Sequence, residues 1–334
     1  MSDSAHTVPI SVMVDVEPDD PAPSGREPRP WLGFEAWVER VKPLREDLER
    51  LTGRSVHFSW FLRMDPQVTL LHGDPAWAAD AYGPQLDALR SAGDEIALHP
   101  HAWRWQDPPG RWLHDLGDAG WVETSVATSF EAYERAFGVQ CRSHRFGARF
   151  ISPALIRQVA DLGARVDTTV EPGALPMRTL DASEASTGSL PDARPAPRHP
   201  YRPSALDPMR VDDASTEPEK EGLWILPVTA FDPAPALPRW RQVARRVRFA
   251  GQLRHRPAEL WSPIPGDVFW RLAQRSLGDV ERPYLCLAVR SDALIRPALA
   301  SAVNAKLEAL ASSSLVERLS FSTPVETLGR LMGE

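Results

Sequence analysis

From Val8 to Val16 the chain is almost unbroken apolar sequence. That length and pattern predict a strand buried on both faces of a parallel sheet. One acid, Asp15, interrupts the run, and Glu17 follows where the strand should emerge. Phe34, Trp37, Val38, Val41, Leu44, Leu48 and Leu51 then fall at helical spacing, with Pro43 inside the pattern and Gly53 as a stop. Residues 55–62 and 95–98 read as the second and third strands, with a helix carrying Tyr82, Leu86 and Leu89 between them. Further strands are predicted at 142–150, 165–170, 223–228, 284–289 and 318–322. Helices are predicted at 122–137, 152–162, 239–250, 266–277, 294–310 and 324–332. Strands alternating with helices over the whole chain predict a parallel α/β architecture. Two stretches lack periodicity: 103–121, rich in Trp, Pro and Gly, reads as a loop, and 176–222, rich in Pro, Ser and charge, as a long insertion or flap.

Composition adds limits rather than a fold. A chain of 334 residues can bury a large core, and the prediction is one α/β domain over residues 1–334 carrying the insertion. A formal charge of −7 argues against a general binder of the nucleic-acid backbone. Cys141 and Cys286 are far apart in sequence and form no Cys-x-x-Cys pair, so neither a disulfide framework nor a cysteine-rich zinc site is expected. No apolar run is long enough to span a bilayer and the first residues are polar, so a cytoplasmic location is expected. No glycine-rich phosphate loop follows any predicted strand, which disfavours a nucleotide fold.

The candidate chemistry sits where predicted strands end. His99 and His101 follow the 95–98 strand, and residues two apart on an extended segment point the same way. Both imidazoles could therefore reach one cation, and neutral imidazole is a good ligand for zinc and similar ions. Two ordinary loop histidines is the plainer reading of the same residues. Asp15 and Glu17 share a face by the same rule, and a carboxylate within an apolar strand is costly unless it is paired or binds a metal. Arg63 and Asp65 close the second strand, as a substrate clamp or a structural ion pair. Trp103, Trp105 and Trp112 suit either a wall on which sugar rings stack or simple loop packing. His57, inside the second strand, reads as a core histidine.

Four stretches together give the chain a resemblance to the polysaccharide deacetylase (NodB-homology) superfamily. They are Val14-Asp-Val-Glu17, Gly93-Asp-Glu-Ile-Ala-Leu-His99, His144-Arg-Phe-Gly-Ala-Arg-Phe150 and Val166-Asp-Thr-Thr-Val170. The resemblance covers residues 8 to about 175 well and the remainder loosely. It implies a distorted (β/α)7 barrel of the glycoside hydrolase/deacetylase type. It also implies a metal-dependent hydrolase that removes an N-acetyl group from an amino sugar or sugar conjugate. Carried onto this sequence, Asp15 is the catalytic base and Arg145 the residue orienting it. Glu17 and His99 are ligands of a divalent cation, usually zinc. From their own places at strand ends and in the Trp-rich loop, Arg63, Asp65, Trp103 and Arg290 are expected toward the substrate.

Two positions depart from the pattern. The second metal histidine is expected four residues after the first, where this chain has Trp103, so His101 would have to replace it. The general acid is expected to be a histidine after the last catalytic strand, where this chain has Arg290. Arginine is no acid near neutral pH, which leaves His144, His114 or a water for that role. Two other readings remain: a different metal-dependent amidohydrolase acting on non-peptide C–N bonds, and a saccharide-binding relative without catalysis.

Overall fold

The computed structural model describes residues 7–20, 24–178, 186–212, 222–232, 255–278 and 281–333. Strand β1 (Val8–Val16) is buried along its whole length. Helix α1 (Leu32–Thr52) keeps Pro43 inside it and buries Phe34, Trp37, Val41, Leu44 and Leu48. Strand β2 (Ser59–Leu62), helices α2 (Pro66–His72), α3 (Trp77–Ala81) and α4 (Gly83–Ser91), and strand β3 (Glu95–Leu98) follow. The chain then turns through a hairpin, β4 (Trp103–Gln106) and β5 (Arg111–Asp115), before α5 (Ala119–Phe137). Strand β6 (Ser143–His144), α6 (Pro153–Asp161) and β7 (Val166–Asp167) lead into short strands β8 (Met177–Arg178), β9 (Ser186–Thr187), β10 (Ser189–Leu190), β11 (Trp224–Ile225), β12 (Ala230–Phe231) and β13 (Arg256–Pro257). The chain ends with α7 (Gly266–Leu277), β14 (Leu285–Arg290), α8 (Pro297–Ala311), β15 (Leu319–Phe321) and α9 (Pro324–Met332).

Seven strands make one parallel sheet in the order β11-β7-β6-β3-β2-β1-β14, and β15 pairs with the first residues of β1 below β2. Beyond β11 the chain runs between the two edges. The Val228 N–H donates to the Val170 carbonyl and the Thr229 N–H to the Cys286 carbonyl, each at 2.9 Å, which closes the sheet into a barrel. The distorted (β/α)7 barrel is thus the observed architecture.

Alternation along the strands divides the core into two layers. Val8, Ile10, Val12, Val14 and Val16 of β1 face the helices and join the large outer core. Met13, Phe61, Ala97, Val166, Leu226, Val228, Tyr284, Cys286 and Ala288 form a second cluster that fills the barrel interior. With period two, the next inward positions above this plug are Asp15, Arg63, His99 and Arg290. The register agrees: Asp15 lies opposite Arg290 on β14 and Phe61 on β2.

Several sequence expectations are corrected. Residues 103–121 are not merely a loop, because the β4–β5 hairpin pairs Trp103 with His114 and Trp105 with Trp112. Alternating Trp and polar residues carry this strand signal, but its two-residue period is short enough to be lost among the prolines and glycines around it. The strand expected at 142–150 is only Ser143–His144, after which Gly147–Arg149 form a tight turn with Ala148 and Arg149 at positive φ. Within 176–222, β8 pairs with β10, and β9 adds to the hairpin. The helix expected at 239–250 lies outside the described residues.

Candidate active site

The parallel strands put all their C-terminal ends on one rim, where barrels carry their chemistry. Stepping two residues along the inward face gives Asp15 and Glu17 from β1, Arg63 and Asp65 from β2, and His99 and His101 from β3. Arg145 follows β6, and Arg290 ends β14. These side chains, Arg63 and Asp65 excepted, line a cleft of about 520 Å³ together with Trp103, Phe146, Arg149, Glu171, Arg256, Pro257, Glu259 and Trp261.

Glu17, His99 and His101, all buried, offer three donor atoms within 4.8 Å of one another. His99 Nε2 and His101 Nε2 are 3.2 Å apart, and His101 Nε2 is 3.7 Å from Glu17 Oε2. Zinc bonds of about 2.0–2.2 Å in a tetrahedron place neighbouring ligand atoms roughly 3.3–3.6 Å apart, so the spacing fits a divalent cation. Ring chemistry fits as well. His99 Nδ1–H donates to the Arg145 carbonyl at 2.8 Å, which leaves the Nε2 lone pair facing Glu17 and His101. Burial pushes the His99 pKa down to about 4 with help from Arg145 and Arg63, and burial likewise pushes His101 well down, so both rings are neutral near pH 7.

Each member of the group is held by a specific neighbour. His101 donates its backbone N–H to Asp65 Oδ2 at 3.1 Å. Asp65 is gripped by Arg63 Nε and also caps α2 through the Gln67 N–H. Arg63 and Asp65 are fully buried. In this position the pair lies beneath the cleft, and Asp65 holds His101. Glu17 Oε1 meets Arg290 Nε at 3.1 Å, and Arg290 is in turn held by Asp292. Gly147 lies against His101, and a Cβ added there would overlap the Nε2, Cδ2 and Cε1 atoms of the ring.

Asp15 sits beside this group. Its Oδ2 is 3.4 Å from Arg145 Nε, and its Oδ1 has no hydrogen-bond partner. Arg145 also donates to the Thr168 carbonyl and to Glu171 Oε1, each at 2.9 Å, so the guanidinium is fixed on three sides. Burial pushes the Asp15 carboxyl up and Arg145 pulls it back, with the net direction upward. A buried, more basic carboxylate with one free oxygen is suited to accept a proton.

The remaining sequence candidates separate cleanly. Trp103 lines the cleft, but Trp105 and Trp112 pack edge-to-face on each other in the hairpin. His57 is only partly buried and pairs with Glu326 at 3.0 Å, away from the cleft. His114 is buried behind His101, and burial pushes its pKa down to about 3. His144 is fully buried with its Nε2 2.8 Å from Asp167 Oδ2. Neither histidine lines the cleft. Glu171, Gly147, Glu259 and Trp261 were not singled out from sequence. Glu171 carried the same signal as Asp15, an acid where a strand gives out. Gly147 carried none, since its role depends on a ring 46 positions away in sequence.

Neither a family model nor a curated protein sequence matches the chain. Solved structures do. A glycoside hydrolase/deacetylase from Parabacteroides distasonis superposes with a TM-score of 0.56 at 13% identity, over 98% of this chain and 71% of that one. The chain carries the deacetylase barrel fold. A polysaccharide deacetylase from Mycobacterium smegmatis also matches, with a TM-score of 0.49 at 15% identity over 99% of this chain and 92% of that one. No helix among the described residues is long and apolar enough to cross a membrane.

Proposed function

We propose that this deacetylase-fold chain is a metal-dependent hydrolase that removes an N-acetyl group from an amino sugar or sugar conjugate. The observation that carries the reading is the convergence of Glu17, His99 and His101 beside the Asp15–Arg145 pair. A divalent cation held by those three residues, zinc by its ligand set, would supply Lewis-acid polarisation of an acyl carbonyl. Asp15 takes a proton from the attacking water, and Arg145 fixes the carboxylate that accepts it. Such general-base assistance contributes about 10²–10⁴-fold. A cleft of about 520 Å³ falls in the range of small-molecule sites, roughly 300–1,000 Å³. Trp103 and Trp261 on its walls offer apolar faces to a pyranose ring, and Arg290, about one-third exposed, offers donors at the rim.

The test is acetate release from N-acetylated amino sugars, followed by chelation and metal return. Activity that disappears with chelator and returns with zinc supports the proposal. Arg290 in the place of an acid favours a second reading, a saccharide-binding protein without turnover. Tight saccharide binding with no acetate release would select it.

A further inference from the structure

Cleaving a C–N bond requires a proton for the departing nitrogen, and neither histidine suggested by the sequence reaches the cleft. We propose that Glu259 is the catalytic residue that protonates the leaving amine, an assignment that rests on the hydrolase reading above. The segment 256–261 is pinned along β14, with the Leu260 N–H donating to the Ala288 carbonyl at 3.0 Å and the Ala288 N–H to the Ala258 carbonyl at 3.4 Å. This lays Arg256, Pro257, Glu259 and Trp261 along the wall of the cleft that holds Asp15, Glu17, His99 and His101.

The other ionisable groups of the cleft are committed. Glu17 is held by Arg290, and Glu171 by Arg145 and Arg149. Asp15 pairs with Arg145, and the arginines cannot release protons near neutral pH. The carboxyl of Glu259 makes no side-chain hydrogen bond or ion pair with a described residue, so it is free to turn toward a ligand. Its charged surroundings are Asp15 from β1, Arg145 and Arg149 after β6, Glu171 after β7, Arg290 on β14 and Arg256 on its own segment. Burial, then Glu171 and Asp15, outweigh Arg145 and Arg149 and push its pKa up to about 7, a value matched to proton donation near neutrality.

The step balances. As the C–N bond breaks, its electron pair stays on nitrogen, which takes the Glu259 proton. The proton that Asp15 removed from water then returns through solvent to Glu259, so the sum is amide plus water giving amine plus carboxylic acid.

Glu259→Gln separates this role from a structural one. Hydrolysis of an N-acetyl amine should fall at least ~10²-fold, while hydrolysis of p-nitrophenyl acetate, whose leaving group needs no proton, should stay within a few-fold. Glu259→Asp should restore part of the amide rate. Carboxyl ¹³C titration of the metal-free protein should show, besides the buried Glu95, a group with a midpoint near pH 7 that Glu259→Gln removes. Unchanged amide turnover, parallel loss of both substrates, or no such titration overturns the assignment and leaves the hydrolase reading in place. A wild-type protein that cleaves neither substrate overturns both.

Discussion

Gly147→Ala tests the metal-ligand geometry without touching a ligand. The backbone at Gly147 is not in the positive-φ region, so alanine is tolerated there on conformational grounds. The added Cβ, however, overlaps three atoms of the His101 ring. Restoring ordinary contact of about 3.5 Å requires the ring to retreat by roughly 1.5 Å. Ligand bonds tolerate only about ±0.2 Å, so the retreat removes His101 Nε2 from the shared point. Disturbing a positioned ligand costs about 10–100-fold in affinity, or about 1.4–2.8 kcal/mol. The fold should lose about 1–3 kcal/mol from overpacking. The assay is zinc competition against a chromogenic chelator, with thermal denaturation of the metal-free protein in parallel. In a His101→Ala background the clash is gone, and Gly147→Ala should then cost little. Wild-type zinc affinity in Gly147→Ala, or an equal stability loss in both backgrounds, would refute the reasoning.

Other consequences follow from the same geometry. Asp15→Asn should lower acetate release by about 10²–10⁴-fold while the circular dichroism spectrum is retained; full activity would remove Asp15 from the mechanism. His114 has a folded-state pKa of about 3 against 6.5 in the unfolded chain, so the unfolded state takes the proton first on acidification. Wild-type stability should therefore fall relative to His114→Leu by up to ~1.4 kcal/mol per pH unit below about pH 6.5. Urea denaturation across that range reads the difference, and a constant offset would contradict the buried neutral ring.

The strand ends were legible because the two-residue period is short and local. Asp15 and His99 each stand at the end of an apolar run, and parallel strands place such ends together. The hairpin that carries Trp103 was missed because its strands are brief and turn-forming residues surround them. Arg63 and Asp65 illustrate another limit. Sequence placed them correctly at a strand end, but whether they faced ligand or core depended on the plug of side chains beneath them. The segment 256–261 had no signal at all, since its position comes from backbone hydrogen bonds to β14 rather than from apolar spacing.

The central claim is that one ion binds between β1 and β3. Anomalous diffraction from a zinc-soaked crystal tests it most directly. The account predicts a single strong peak within about 2.0–2.2 Å of Glu17 Oε2, His99 Nε2 and His101 Nε2. A cleft without that peak, or zinc bound only to residues elsewhere, would contradict it.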